Sequence, residues 1–182
     1  MGTTTAANHT VNESQRGELM TRLFRQLQEV RFNELYYQTR SSVLRRWSIG
    51  SNIVAALSAS LALAGLLKEG DLWGWGSAAW KILTLLAALS AAIGPVLGWE
   101  HRAAQLEKAA LGYSIVRDRI RLLLQDLKLS DLNDEHLARE QEIEGFRCAL
   151  AALDEPASEA TKRRCWNRTL EELPSDKAWT IV

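Results

Sequence analysis

The sequence predicts an all-α membrane protein, in which a two-helix transmembrane hairpin carries long cytoplasmic helices and the chain assembles as an oligomer. Two stretches predict the hairpin, because residues 47–67 and 82–99 contain no Asp, Glu, Lys, Arg or His. Five of the seven tryptophans lie at the ends of these stretches or between them, and Trp concentrates at membrane–water interfaces. No segment has the alternating pattern of a β-strand.

The two charge-free stretches have the length of membrane spans. As helices, residues 47–67 cover about 31 Å and residues 82–99 about 27 Å, against a hydrocarbon core of about 30 Å. The second span reaches about 30 Å when Trp80 and Lys81 are added, with the Lys81 ammonium extending outward. A short polar loop, residues 68–79, joins them. Buried helices of a soluble bundle are the alternative, since both stretches are rich in Ala and Ser, but the positions of the tryptophans favour the membrane.

Cations on either side of the hairpin predict its orientation. Arg40, Arg45 and Arg46 precede the first span, and Arg102 and Lys108 follow the second. The connection between the two charge-free stretches offers only Lys68 and Lys81, which neighbouring carboxylates partly offset. The positive-inside rule therefore puts both termini in the cytoplasm.

The N-terminal part is predicted as a disordered tail over residues 1–12 and a cytoplasmic helix over residues 13–46. Leucines at 19, 23 and 27, then Val30 and Glu34, recur at steps of four and three, which puts them on one helical face. This helix can continue into the first span as one long rod.

The first span carries a stripe of small and weakly polar residues. Its members are Ser48, Ser51, Asn52, Ala55, Ser58, Ala59 and Ala62. Such a stripe either packs closely against another helix or lines a water-filled path in an oligomer. Packing is the commoner role, but the amide of Asn52 favours the path because it needs a partner or water in lipid.

The second span has small residues at every fourth position, namely Ser90, Gly94 and Gly98, which suits close helix packing. Pro95 lies inside this track and removes one backbone donor, so that a kink is expected near it.

Residues 100–174 are predicted as a cytoplasmic helical region, and residues 175–182 as a loose tail. Its first helix, over residues 100–129, carries a heptad seam: Ala109, Tyr113, Val116, Ile120, Leu123 and Leu127. The seam packs either on the N-terminal helix, which gives a stalk, or on its copy in another subunit. A second helix begins after the N-cap Asn133, and a third ends at Pro174.

No catalytic motif, metal-ligand spacing or cofactor fingerprint occurs, so the chain is not predicted to be an enzyme. The carboxylates are interpreted as solvated helix surface. One basic cluster could bind a nucleotide or oligonucleotide, because Arg pairs well with phosphate. It comprises Lys162, Arg163, Arg164 and Arg168. The same cluster could instead meet the acidic stretch 131–144, another subunit or water.

The stretch RFNELYYQTRSSVLRRWSIGSNIVAAL, the hairpin and the heptad-bearing helix together resemble the SLATT domain, with Arg31, Tyr37 and Arg40 in the similar positions. The resemblance implies an oligomeric effector of prokaryotic anti-phage conflict systems, which permeabilises the inner membrane when triggered and stops growth or kills the infected cell. It also implies that a nucleotide signal or a partner protein of the same system is the trigger.

We therefore predict a homo-oligomeric ring, a tetramer or similar, that forms a pore or ion channel and depolarises the inner membrane. Two spans per chain cannot enclose a pore, so the pore requires several copies. The alternative is a non-conducting membrane anchor or adaptor that recruits a cytoplasmic partner.

Overall fold

The computed structural model describes residues 3–66, 82, 85, 88–89, 98–151 and 158–174. Four helices have their bounds within these residues: α1 (Thr3–Leu66), α2 (Trp99–Leu129), α3 (Asp134–Ala151) and α4 (Glu159–Glu172). No strand occurs in this part of the chain. The prediction of an all-helical fold is confirmed for the described residues.

Helix α1 unites the predicted N-terminal helix and the first charge-free stretch. It begins at Thr3, so residues 3–12 are helical, whereas the sequence predicted a disordered tail there. The difference has a simple physical reason. This stretch contains no Pro or Gly, and extending an existing helix costs far less free energy than nucleating one.

Measured over the described residues, no helix combines the length and the apolar character that a membrane crossing requires. Of the predicted second span before Gly98, the structure describes only Ile82, Leu85, Ala88 and Leu89, and all four are helical. The predicted loop 68–79 and the tail 175–182 lie outside the described residues.

The chain divides into two compact units. One, which we call the bundle unit, consists of Met1–Gln38 and Glu107–Val182. The other, which we call the hairpin unit, consists of Thr39–Leu106. Helices α1 and α2 contribute residues to both.

In the bundle unit, α1 and α2 run antiparallel. Near one end, the Arg16 guanidinium donates hydrogen bonds to the carbonyl oxygens of Leu127 at 2.6 Å and Lys128 at 3.0 Å. At the other end, the Tyr37 and Tyr113 rings stack with their centroids 5.5 Å apart. The predicted α1 row is buried along this length, and Leu23, Leu27 and Val30 are fully enclosed.

Helix α3 joins the bundle unit through contacts to both α1 and α2. Arg147 reaches Glu29 of α1 at 2.6 Å. On α2, Arg119 lies over the Phe146 ring, 4.5 Å from its centroid. The start of α3 has the predicted cap: Asn133 Oδ1 accepts from the His136 backbone N–H at 3.0 Å.

Helix α4 packs against α1. The rings of Phe32 and Trp166 meet edge to face, with their centroids 5.7 Å apart. The buried amide of Gln28 donates to the Leu173 carbonyl at 2.8 Å, which satisfies an oxygen at the end of α4. Together with the Glu29–Arg147 pair, these two contacts hold α3 and α4 to residues 28–32 of α1.

Candidate functional site

The hairpin unit exposes large apolar side chains of a kind that water-soluble proteins usually bury in their core. We call this set the apolar surface. Its members are Trp47, Ile49, Ile53, Val54, Leu57, Ile82, Leu85 and Leu89, and each is exposed by about half or more. In the bundle unit the heptad row of α2 and the facing row of α1 are buried, and the large apolar side chains that remain exposed there lie on helices that also carry exposed charged residues. The apolar surface, which lies on stretches without a charged residue, is therefore the main candidate for contact with lipid or with other proteins.

The two charge-free stretches meet at one end of the hairpin unit. The rings of Trp47 and Trp99, which begin the first stretch and end the second, have centroids 6.4 Å apart. Beside them, the buried Ser48 hydroxyl donates to Glu100 Oε1 at 3.0 Å. Segments Trp47–Ser48 and Trp99–Glu100 are thus held together although 52 positions separate Ser48 from Glu100.

The small-residue stripe of the first stretch divides into two rows. Ser48 is buried, and Ser51 and Ala55 are half-buried, at steps of three and four along α1. Asn52 and Ala59 are exposed. The side chains of the other two predicted members, Ser58 and Ala62, lie outside the described residues. Ser48, Ser51 and Ala55 are therefore the packing row of this unit, while Asn52 and Ala59 are available to partners.

Gly98 does not belong to a helical packing track as predicted. Its φ is +57°, and α2 begins at the next residue, Trp99. The Gly98 carbonyl accepts from the Arg102 backbone N–H at 3.0 Å. A left-handed φ is readily adopted by Gly, so this residue marks the entry to α2. The other predicted members, Ser90, Gly94 and Pro95, lie outside the described residues.

The heptad seam of α2 lies inside the bundle unit. All six members, Ala109, Tyr113, Val116, Ile120, Leu123 and Leu127, are at most 3% exposed. Of the two partners considered for it, the N-terminal helix of the same chain covers this seam, because Tyr37 of α1 contacts Tyr113 near the start of the seam and Arg16 of α1 contacts Leu127 at its end.

The predicted basic cluster is only partly free of ion pairs. Lys162 lies 3.2 Å from Glu159, and Arg168 Nε lies 3.2 Å from Glu172 Oε1. Arg163 and Arg164 are exposed and make no ion pair with any described residue. These two arginines are the part of the cluster that remains open to an anionic ligand.

An ionic network around the buried Glu34 was not predicted from the sequence. Glu34, whose side chain is 4% exposed, accepts from Arg117 and lies 2.9 Å from Arg31. Arg31 in turn lies 2.6 Å from Glu172 at the end of α4. The interpretation of all carboxylates as solvated surface is therefore wrong for Glu34. The signal was present, since Glu34 falls on the same 4-4-3-4 row as the buried leucines.

The network also affects the titration of Glu172. Partial burial is the largest single influence and acts to raise its pKa, but hydrogen bonds and charge from Arg31 and Arg168 outweigh it. The pKa of Glu172 is therefore lowered from its ordinary value of 4.5. The carboxylate stays ionised at neutral pH and holds α4 to α1.

Comparison with known proteins finds no relative: no protein-family model, no curated protein and no solved structure matches the chain. Within the described residues, no group of three or more His, Cys, Asp or Glu side chains is arranged to hold a metal ion. Function must therefore be inferred from the surfaces of the two units.

Proposed function

We propose that this protein is a membrane effector of a prokaryotic defence system, in which copies assemble through their hairpin units and conduct ions across the inner membrane. The observation that carries this proposal is the apolar surface. The apolar surface lies on two stretches that contain no charged residue, and an exposed patch of large apolar side chains is typical of a membrane or protein interface.

The composition of the first stretch fits a span that faces other copies on one side. Its 21 residues carry no charge, yet Ser and Asn reduce its apolar character. In an assembly, these residues would face protein or water while Ile53, Val54 and Leu57 face lipid. Polar side chains inside a bilayer are typical of helix contacts and conducting paths.

Asn52 is the best candidate for the lining of such a path. It is exposed on the hairpin unit, and Ala59 lies two helical turns further along the same side. The amide provides hydrogen-bonding groups that water or an ion's hydration shell could use. Two helices per copy cannot surround a pore, so conduction requires a ring of copies.

The resemblance to the SLATT domain supports the same proposal. It implies an oligomer that acts on the inner membrane when a nucleotide signal or partner protein triggers it. The distribution of Lys and Arg around the hairpin favours both termini in the cytoplasm, which would give the bundle unit access to such a trigger.

The test is inducible expression in bacterial cells with a fluorescent readout of membrane potential. We expect the wild-type protein to depolarise the membrane and stop growth, and Asn52→Leu to abolish both. Val54→Leu is the matched control, because Val54 is an exposed apolar neighbour and the change keeps its character. Depolarisation that survives Asn52→Leu unchanged would refute the proposed lining.

Ser48→Leu tests folding of the hairpin unit rather than conduction. Because Ser48 is buried and bonded to Glu100, the larger side chain is expected to lower the amount of folded protein in the membrane fraction. Protein amounts measured by immunoblot separate that effect from a loss of conduction. Ion flux from liposomes containing purified protein then tests the pore without other cell components.

A non-conducting anchor or adaptor is the second candidate, and Arg163 and Arg164 favour it. Two exposed arginines that form no ion pair with a described residue suit a negatively charged partner in the cytoplasm. This candidate requires that purified protein produce no flux in liposomes. It also requires that Arg163→Ala/Arg164→Ala abolish recovery of a partner while Asn52→Leu leaves that recovery intact.

A further inference from the structure

Three arginines lie at the end of the hairpin unit where its two charge-free stretches meet. Arg45 and Arg46 come directly before Trp47 on α1, and Arg102 lies within one turn after Trp99 on α2. All three arginines are exposed, and none forms an ion pair with a described residue. We call this set the basic end. Its positive charges are therefore open to an anionic ligand.

The two parts of the basic end lie at one level of the hairpin unit, because the Trp47 and Trp99 rings have their centroids 6.4 Å apart. At a rise of about 1.5 Å per residue, Arg45 precedes Trp47 by about 3 Å and Arg102 follows Trp99 by about 4.5 Å along the helix axis. The polar layer on each side of a bilayer is roughly 5–7 Å thick. Tryptophans at the inner edge of that layer therefore leave the arginines within its depth.

One carboxylate lies at the same end and limits the charge. Glu100 Oε1 accepts from the buried Ser48 hydroxyl at 3.0 Å, which keeps this oxygen against α1. With histidine counted as neutral, three guanidinium groups and one carboxylate give the basic end two net positive charges. These charges adjoin the apolar surface, which begins at Trp47. The same end thus offers cations beside large apolar side chains.

We propose that the basic end binds the phosphate groups of anionic phospholipids, and that the Trp47 ring lies among the headgroups beside them. The inference rests on the proposed function in one respect, since it takes the hairpin unit to lie in a bilayer. Guanidinium groups pair well with phosphate oxygens, and Trp is favoured at the membrane–water interface. Trp47 is 64% exposed, so its ring is open to that layer.

Two considerations favour a lipid over a free phosphate compound as the anion. A phospholipid joins its phosphate to acyl chains, and Ile49 and Ile53, both about half exposed, lie on the apolar side of Trp47 where such chains would pack. The cytoplasmic leaflet carries anionic lipids, and the distribution of Lys and Arg favours that side for this end. The basic end therefore suits a ligand with a charged headgroup and an apolar tail.

Quenching of tryptophan fluorescence by brominated lipids measures this binding. The purified full chain is placed in nonionic detergent micelles that contain phosphatidylglycerol or phosphatidylcholine, each with brominated acyl chains, and the mole fraction of lipid at half-maximal quenching is determined. We expect phosphatidylglycerol to bind about 25-fold more tightly, because each of the two net charges strengthens binding to an anionic lipid about fivefold. Arg45→Gln/Arg46→Gln removes two positive charges and should abolish the preference.

Two further variants separate the basic end from general effects of charge and folding. Arg25→Gln/Arg121→Gln removes two exposed arginines of the bundle unit that form no ion pair with a described residue, and it should keep the full preference. Arg45→Lys/Arg46→Lys keeps the cations and should retain most of the preference, since Lys also binds phosphate. Circular dichroism of every variant checks that its helices are intact.

Three results would overturn the proposal. The first is equal binding of the two lipids by the wild type, and the second is an equal loss of preference in Arg25→Gln/Arg121→Gln. The third is displacement of phosphatidylglycerol by glycerol phosphate at the same concentration, which would identify a site for free phosphate compounds. Membrane potential measured in cells keeps this proposal apart from the conducting function. A lipid preference without depolarisation would support the lipid site and refute conduction, whereas depolarisation without the preference would do the reverse.

Discussion

Arg117 and Glu34, which lie 83 positions apart in the sequence, form a partly buried ion pair: Arg117 Nη1 donates to both carboxylate oxygens of Glu34 at 2.8 Å. Their side chains are 18% and 4% exposed. A buried charge that loses its partner is left with an uncompensated desolvation cost, so this pair holds α1 and α2 to one register.

Removing the Arg117 charge should destabilise the bundle unit strongly. For Arg117→Met we expect a loss of about 3 kcal/mol in the free energy of unfolding, because Glu34 stays buried with Arg31 as its remaining cation. Denaturant unfolding of the full chain in detergent, followed by circular dichroism, measures it. Arg163→Met is the matched control and should change the value by less than about 0.5 kcal/mol. Equal stability of the two variants would contradict this role for the pair.

The charged pair Glu144–Arg147 on α3 should stabilise the fold less in acid. The hydrogen bond from Arg147 lowers the pKa of Glu144 from its ordinary value of 4.5, and partial burial opposes this only in part. Because the folded-state pKa lies below the unfolded one, the stabilisation is present above that ordinary value and is lost as the pH falls through the folded pKa.

Glu144→Gln should therefore be less stable than the wild type at about pH 7, and the difference should shrink as the pH falls to about 3. Thermal unfolding at a series of pH values measures the difference. Glu171→Gln is the comparison, since Glu171 is exposed and has no ion pair within the described residues. A Glu144→Gln deficit of the same size at both pH values would argue against the charge of Glu144 as its source.

Two glycines inside helices should respond differently to alanine. A β-carbon at Gly145 meets nothing within 4 Å, so Gly145→Ala is expected to stabilise by about 1 kcal/mol through helix propensity alone. At Gly112 the added atom would lie 2.6 Å from Leu150 Cδ2, so the shift of Leu150 should cancel most of that gain. Melting temperatures of the two variants make the comparison. In a Leu150→Ala background, Gly112→Ala should recover the full increment, and its failure to do so would exclude this contact as the cause.

The first turn of α3 should depend on its cap. Asn133→Ala is expected to cost about 1 kcal/mol, because the His136 backbone N–H loses its acceptor. Asn133→Asp keeps an acceptor oxygen and adds a charge that the helix N-terminus favours, so it should retain the stability. Amide hydrogen exchange at His136 measures the local effect. Faster exchange in Asn133→Asp than in Asn133→Ala would contradict the capping role.

The local features of the fold could be predicted because each has a short-range signal. The 4-4-3-4 row of α1, the heptad seam of α2 and the cap at Asn133 depend on residues within a few turns of each other. The buried role of Glu34 had such a signal as well, but its partner Arg117 could not be identified from spacing, because the two meet only when α1 and α2 pack together.

The sequence identified the region of the candidate site, but not which of its side chains are exposed. The charge-free stretch from Trp47 was evident, but which members of its stripe face outward depends on packing within the hairpin unit. Only the structure separates Ser48, which is buried, from Asn52, which is exposed. Gly98 was misassigned because a glycine in a small-residue track and a glycine in a left-handed turn look alike in sequence.

The Arg16 contact at the far end of α2 has a consequence for biosynthesis. The α1 row from Leu19 to Val30 gains its cover only after the ribosome has added roughly a hundred further residues, through Lys128. At about 5–20 residues per second, that delay is roughly 5–20 s. During this interval the leucine face of α1 is exposed in the nascent chain. It can bind chaperones then, and the chain can aggregate when chaperones are scarce.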